Sequence, residues 1–257
     1  MAMFARILRL ALLLILLPAA AWLLAACGTP PIATPPPTPQ PVFLAYPPEL
    51  RPYADALAAC ARQYPDIALY LEETVVILAP DQQTSLFLVA DSPPAALTAW
   101  NATLLTSDSL VVIVNRQNAL GSLSASELRA IWSGKLVTWA SLADNAGEIQ
   151  VWAYPAGSKL RSIFDSAVMA GELTSSQAWL APDPQAVLEA VSANPNAIGY
   201  LPASWLDKAA PKLADAVQRL HLPFEVDENL HQQVLALTEV EPQGALRTLL
   251  LCFQADQ

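Results

Sequence analysis

Histidine is nearly absent from this chain. Its 257 residues contain two, His221 and His231, and only three cysteines, Cys27, Cys60 and Cys252. So few ligands draw no Cys/His cluster at metal spacing, and no zinc site is expected. Catalytic signatures are missing as well: there is no G-x-S-x-G elbow, no S-x-x-K and no H-E-x-x-H. With no catalytic residues and no cofactor motif to assign, the chain does not read as an enzyme. Positive charge is also scarce, 13 Lys and Arg against 23 Asp and Glu, a net charge of −10. Nucleic acid and anionic membrane surfaces need clustered Lys or Arg, so neither is an expected partner. A small anion in a cleft is not excluded, because a few backbone N–H groups can dominate locally.

What is present begins with a leader. Arg6 and Arg9 precede an uncharged, Leu- and Ala-rich run from Leu10 to Ala26, a positive n-region followed by an apolar h-region. The run ends in Leu24-Ala25-Ala26-Cys27, which resembles the bacterial lipobox. It predicts a signal peptide over 1–26 and lipidation of Cys27. The rival reading is an uncleaved transmembrane anchor, since this length nearly spans a bilayer. Either way the remainder is expected to be exported and tethered to the outer face of the bacterial cell membrane. Residues 27–41, including "GTPPIATPPPTPQP", hold the lipidated cysteine and a spacer that proline keeps extended. An exported compartment permits a Cys60–Cys252 disulfide; two buried apolar thiols are the alternative.

Beyond the spacer, strand and helix patterns alternate. Strands are predicted at "VFLAY" (42–46), "IALYL" (67–71), "TVVILA" (74–79), "TSLFLVA" (84–90), "LVVIVN" (110–115), "IQVWAY" (149–154), "AIGYLP" (197–202) and "QVLALT" (233–238). Helical spacing appears over 48–64, 159–170, 184–193, 203–219 and 242–254. Between residues 124 and 134, Ser124 and Glu127 form a capping box, Leu128, Ile131 and Trp132 an apolar face, and Gly134 a stop. This alternation predicts an α/β fold with parallel strand pairs.

Residues 107–142, "SDSLVVIVNRQNALGSLSASELRAIWSGKLVTWASL", carry a family pattern, and "NPNAIGYLP" (194–202) continues it. The chain resembles the substrate-binding proteins of phosphate-type ABC importers. Asp108, Asn115, Asn118, Leu123, Leu128, Ile131, Ser133, Gly134, Lys135 and Trp139 stand at matching places. The resemblance implies a type II periplasmic-binding fold, two α/β lobes joined by two crossover strands with ligand between them. By that analogy 110–115 and 197–202 are the hinge strands, lobe 1 is 42–109 plus 203–257, and lobe 2 is 110–202.

The resemblance also places the ligand residues. "YPAGSKL" (154–160) falls where the family has R-x-x-G-S-G-T, whose helix N-terminus holds phosphate. Gly157 and Ser158 match, Lys159 and Leu160 replace the glycine and threonine, and Tyr154 stands in the arginine's place. Ser158 is either a helix cap alone or a cap that also touches ligand, and Lys159 or Arg161 is a candidate source of positive charge. "VADSPPAAL" (89–97) resembles the family's S-D-A-P-L, so Asp91 would face a protonated oxyanion beside Ser92; an ordinary turn is the alternative. The family's G-S-T-T appears as Ala45-Tyr46-Pro47-Pro48, where prolines cannot donate and Tyr46 is left to line the cleft. The implied function is capture of a small solute, with phosphate or another small oxyanion first among them, by a monomer that serves an ABC permease. The alternative is a degenerate binding-protein-like lipoprotein acting as sensor or envelope interaction protein.

Overall fold

A computed structural model describes residues 38–75, 84–142 and 147–255. The leader, Cys27, most of the spacer and most of the strand expected at 74–79 lie outside the described residues. Pro39–Gln257 forms a compact unit of its own.

The first third of this unit follows the predicted alternation. Strand β1 (Gln40–Tyr46) leads through a 3-10 turn (Pro48–Leu50) into helix α1 (Arg51–Ala61), with Pro48 at the first helical position, where its missing N–H costs nothing. Strands β2 (Ile67–Glu73) and β3 (Leu86–Ala90) flank β1 in parallel. Strand β4 then runs through 15 residues, Asn101–Asn115. The expected strand at 110–115 is the far half of this element. The near half, 101–109, lies outside that expectation because polar residues interrupt its apolar ones.

The middle of the chain carries α2 (Ala125–Trp132), β5 (Gln150–Ala153) and α3 (Lys159–Phe164), which continues as a π turn (Asp165–Met169). Next come β6 (Trp179–Leu180), α4 (Pro184–Ala193) and β7 (Ala197–Pro202). Gly199 lets α4 lie against β7: a Cβ there would stand 2.5 Å from Val187 Cγ1. The helix expected over 203–219 is corrected. The chain forms α5 (Ala203–Asp207), α6 (Pro211–Ala214) and strand β8 (Val217–Arg219), because Pro211 can begin a helix but not continue one. Helix α7 (Phe224–Asp227), strand β9 (His231–Thr238) and helix α8 (Gly244–Ala255) complete the unit.

Among the described residues the strands join in the order β2-β1-β3-β9-β4-β7-β5-β6, with β8 paired to β4. The outer pairs are parallel, and the pairs made by β4 and β9 are antiparallel. Two main cores form on this frame. The first gathers Leu44, Leu57, Leu88, Val234 and Phe253; a smaller cluster around Phe87 and Leu237 covers the opposite sheet face. The second gathers Val112, Trp132, Phe164, Leu188 and Tyr200. Each is the interior of one lobe, and β4 spans both.

The cores draw the lobe boundary differently from the expectation. Trp205, Val217, Leu220, Val226 and Leu230 pack in the second core, so 203–230 belongs with lobe 2. The chain returns to the first core at β9, not at 197–202. Strand β7 is buried at every position between β4 and β5, and a strand buried on both faces reads alike whether it is central or crosses a hinge. Cys60 of α1 and Cys252 of α8 are joined by a disulfide inside the first core.

Candidate functional site

Four strands point their carboxyl ends at one place. The turns after β1 (from Pro47), β3 (from Asp91), β5 (from Tyr154) and β6 (from Pro182) meet around a cleft of about 620 Å3. Open α/β sheets bind ligands beyond the carboxyl ends of their strands, because loops and helix starts converge there. The first lobe supplies Pro47 to Glu49, Val75, Val89 and Ser92 to Pro94. The second supplies Tyr154 to Leu160 and Pro182 to Pro184.

Six of the predicted site residues line this cleft: Ser92, Tyr154, Gly157, Ser158, Lys159 and Leu160. Gly157 has φ +89°, with open space where a Cβ would stand; glycine is required there by the backbone rather than by crowding. Ser158 caps α3, its Oγ accepting the Arg161 N–H at 3.3 Å. Tyr154 turns its hydroxyl inward, donating to the Tyr200 carbonyl at 3.0 Å. Burial pushes that phenol well above its ordinary pKa.

Three predicted residues do not line it. Asp91 sits at the rim with φ +58°, a backbone state that its short polar side chain tolerates. Its Oδ1 accepts the Gln233 N–H at 2.9 Å, and its Oδ2 pairs with Lys159 Nζ at 2.9 Å. That ion pair joins the two lobes across the cleft mouth. Arg161 is turned away, its Nε 2.7 Å from Asp165 and its terminal nitrogen donating to the Tyr154 carbonyl at 3.1 Å. Tyr46 is buried in the first core, where desolvation, and then Glu73, raise its pKa.

Sequence reasoning missed two carboxylates. Glu49 lies in the turn before α1, held from behind by Trp205, whose indole N–H donates to the Glu49 carbonyl at 2.9 Å. Burial raises its carboxyl pKa; its own backbone N–H opposes the shift and Glu73 adds to it. Asp183 is the N-cap of α4, Oδ1 accepting the Ala186 N–H at 2.9 Å. The Asp-Pro pair at 183–184, a capping residue before a first-turn proline, was the available signal. Nothing local marks Glu49.

Known proteins share this architecture. A sequence model of the PBP superfamily domain matches residues 78–247. A protein assigned as a phosphate ABC transporter substrate-binding protein, with bound phosphate, from Clostridium perfringens superposes with a TM-score of 0.66 at 15% identity, covering 83% of this chain and 92% of that one. An ABC-type phosphate transport receptor from Vibrio cholerae gives 0.55 at 14%, covering 84% and 94%. The CcmR regulatory domain of Synechocystis in complex with 2-PG gives 0.58 at 15%, covering 84% and 96%. At such identities the likeness is one of fold, the type II periplasmic-binding fold of two α/β lobes. With the domain matched over more than half its length, the chain belongs to the family of the PBP superfamily domain.

Proposed function

We propose that this chain is a receptor rather than an enzyme: the extracytoplasmic solute-binding component of an ABC importer, lipid-anchored through Cys27. One observation carries the reading, the cleft of about 620 Å3 whose walls come from both lobes at the carboxyl ends of their strands. A solute bound there touches both lobes at once, so it favours their closed arrangement by its differential affinity. The Cys60–Cys252 disulfide supports an oxidising, exported setting. Inorganic phosphate and other oxyanions are the first probes, because two structures of this fold are named for phosphate transport.

The test is thermal unfolding of the purified protein with phosphate, sulfate, molybdate, amino acids, sugars and small amines. A solute at 100 times its Kd adds about 2.7 kcal/mol of stability. The variant Ala156→Trp fills the cleft from an exposed wall position and is expected to abolish that shift. A solute that binds Ala156→Trp as well as the parent, or a panel in which nothing shifts the transition, removes the reading.

A further inference from the structure

The cleft of this receptor offers an oxyanion few donors and offers a cation two acidic residues. An oxyanion needs convergent N–H donors or positive charge, and three helical starts border the cleft where such donors could be sought. Pro47 and Pro48 open the first, and neither has an N–H. The next is α3, where Ser158 Oγ already takes one N–H. At the start of α4 the carboxylate of Asp183 is itself the cap, so an anion there would meet a negative charge at contact range.

The positive charge at and beside the cleft is already paired. Lys159 is paired with Asp91 at 2.9 Å, Arg161 with Asp165 at 2.7 Å and Arg51 with Glu73 at 2.6 Å. Among the described residues the ion pairs include neither Glu49 nor Asp183, and these two residues line the cleft from opposite lobes, Asp183 within electrostatic reach of Arg51. For Glu49, a carboxylate withdrawn from water without an ion-pair partner is costly. The raised pKa of Glu49 is that cost made visible.

Apart from Ser92, Tyr154, Ser158 and Lys159, the rest of the wall is mostly hydrocarbon. Seven prolines line the cleft, and each contributes an apolar ring and no donor. Val75, Val89, Ala156 and Leu160 join them. A cleft of about 620 Å3 falls in the range of pockets that take organic molecules, roughly 300–1,000 Å3.

We propose that the ligand is a small organic ammonium compound whose apolar body lies against the prolines and whose positive charge sits between Glu49 and Asp183. This rests on the receptor reading and supplies its substrate class.

The experiment compares two sets of probes by titration calorimetry on the full chain. One set is choline and phenethylamine, with 2-phenylethanol as the neutral counterpart of the latter. The other is inorganic phosphate and sulfate. At least one ammonium probe is expected to bind saturably, phenethylamine at least tenfold more tightly than 2-phenylethanol. Glu49→Gln should weaken ammonium binding at least tenfold; Asp183→Asn, which keeps a good cap, should weaken it in the same direction. Phosphate or sulfate binding that is lost in Ala156→Trp overturns the ammonium assignment and leaves the receptor reading standing. Ammonium binding indifferent to both carboxylate variants, or no binding by any ammonium probe, also overturns it. Ammonium binding that survives Ala156→Trp overturns both.

Discussion

At the scale of single residues, Tyr154 shows a position keeping its place while its chemistry changes. The resemblance puts a ligand-binding arginine there; the structure puts a phenol whose hydroxyl serves the Tyr200 carbonyl inside the second core. A buried acceptor stripped of its donor costs about 1–3 kcal/mol. Tyr154→Phe should therefore lower the urea midpoint by the equivalent of about 1–2 kcal/mol with an unchanged m-value. An unchanged midpoint would mean that this hydrogen bond contributes nothing net. The site residues that could be read from sequence were those announced by a local pattern, a Gly-Ser turn opening a helix. Arg161 and Tyr46 were misplaced because their sequence neighbours line the cleft while they point away from it, Arg161 toward Asp165 and Tyr46 into the first core. Glu49 was illegible for a different reason. It is one of 23 acidic residues, and only the aim of the turn after β1 distinguishes it.

Among the elements, α2 was read most completely, because its signals lie within a few residues of one another. Ser124 Oγ accepts the Glu127 N–H at 3.3 Å, and Glu127 Oε2 accepts the Ser124 N–H at 2.8 Å. The Ser124 hydroxyl first, and then its N–H, hold the Glu127 carboxyl below its ordinary pKa. A folded pKa below the unfolded one gives stability that is full above the unfolded value and is lost as pH falls through the folded one. Ser124→Ala should thus cost about 1 kcal/mol at neutral pH, and its deficit against the parent should shrink in acid. Paired urea titrations at the two pH values measure both. The region 203–219 failed where α2 succeeded. Its apolar residues suit one long helix, but Pro211 divides it and Val217–Arg219 pairs with β4, a partner about a hundred residues earlier that no local window contains. Gly199 makes the same point about packing. Gly199→Ala should destabilise by about 1–3 kcal/mol, the range for overpacking, since its Cβ would press on Val187 of α4.

For the whole molecule, the α/β class followed from alternating patterns, but the order of the sheet did not. Strands β1 and β3 are neighbours across α1 and β2, and β9 returns from the far end of the chain to lie between β3 and β4. Such pairings are set by which apolar faces can be covered together, and local periodicity carries no record of that. The Lys159–Asp91 pair joins the lobes with both side chains about one-third exposed, 35% and 32%, so it contributes no more than about 1 kcal/mol. Lys159→Met should leave the thermal transition nearly unchanged while lengthening the distance between spin labels placed on the two lobes. An unaltered distance would show that other contacts hold the cleft's width.

The disulfide acts on a different part of the molecule. It links α1 to α8 across 192 residues of sequence, and both partners lie in the first core. Removing such a cross-link frees the unfolded chain and costs roughly 2–5 kcal/mol. The double variant Cys60→Ala, Cys252→Ala should therefore unfold at lower urea by that amount. Affinity should follow a separate rule. The cleft walls hang on strand ends, and neither cysteine lines them, so a ligand that binds the parent should bind the variant within about a factor of two, below the 1.4 kcal/mol of a tenfold change. Stability lost with affinity kept places the disulfide in the scaffold of the first lobe. Affinity lost in proportion would place it in control of how the lobes meet.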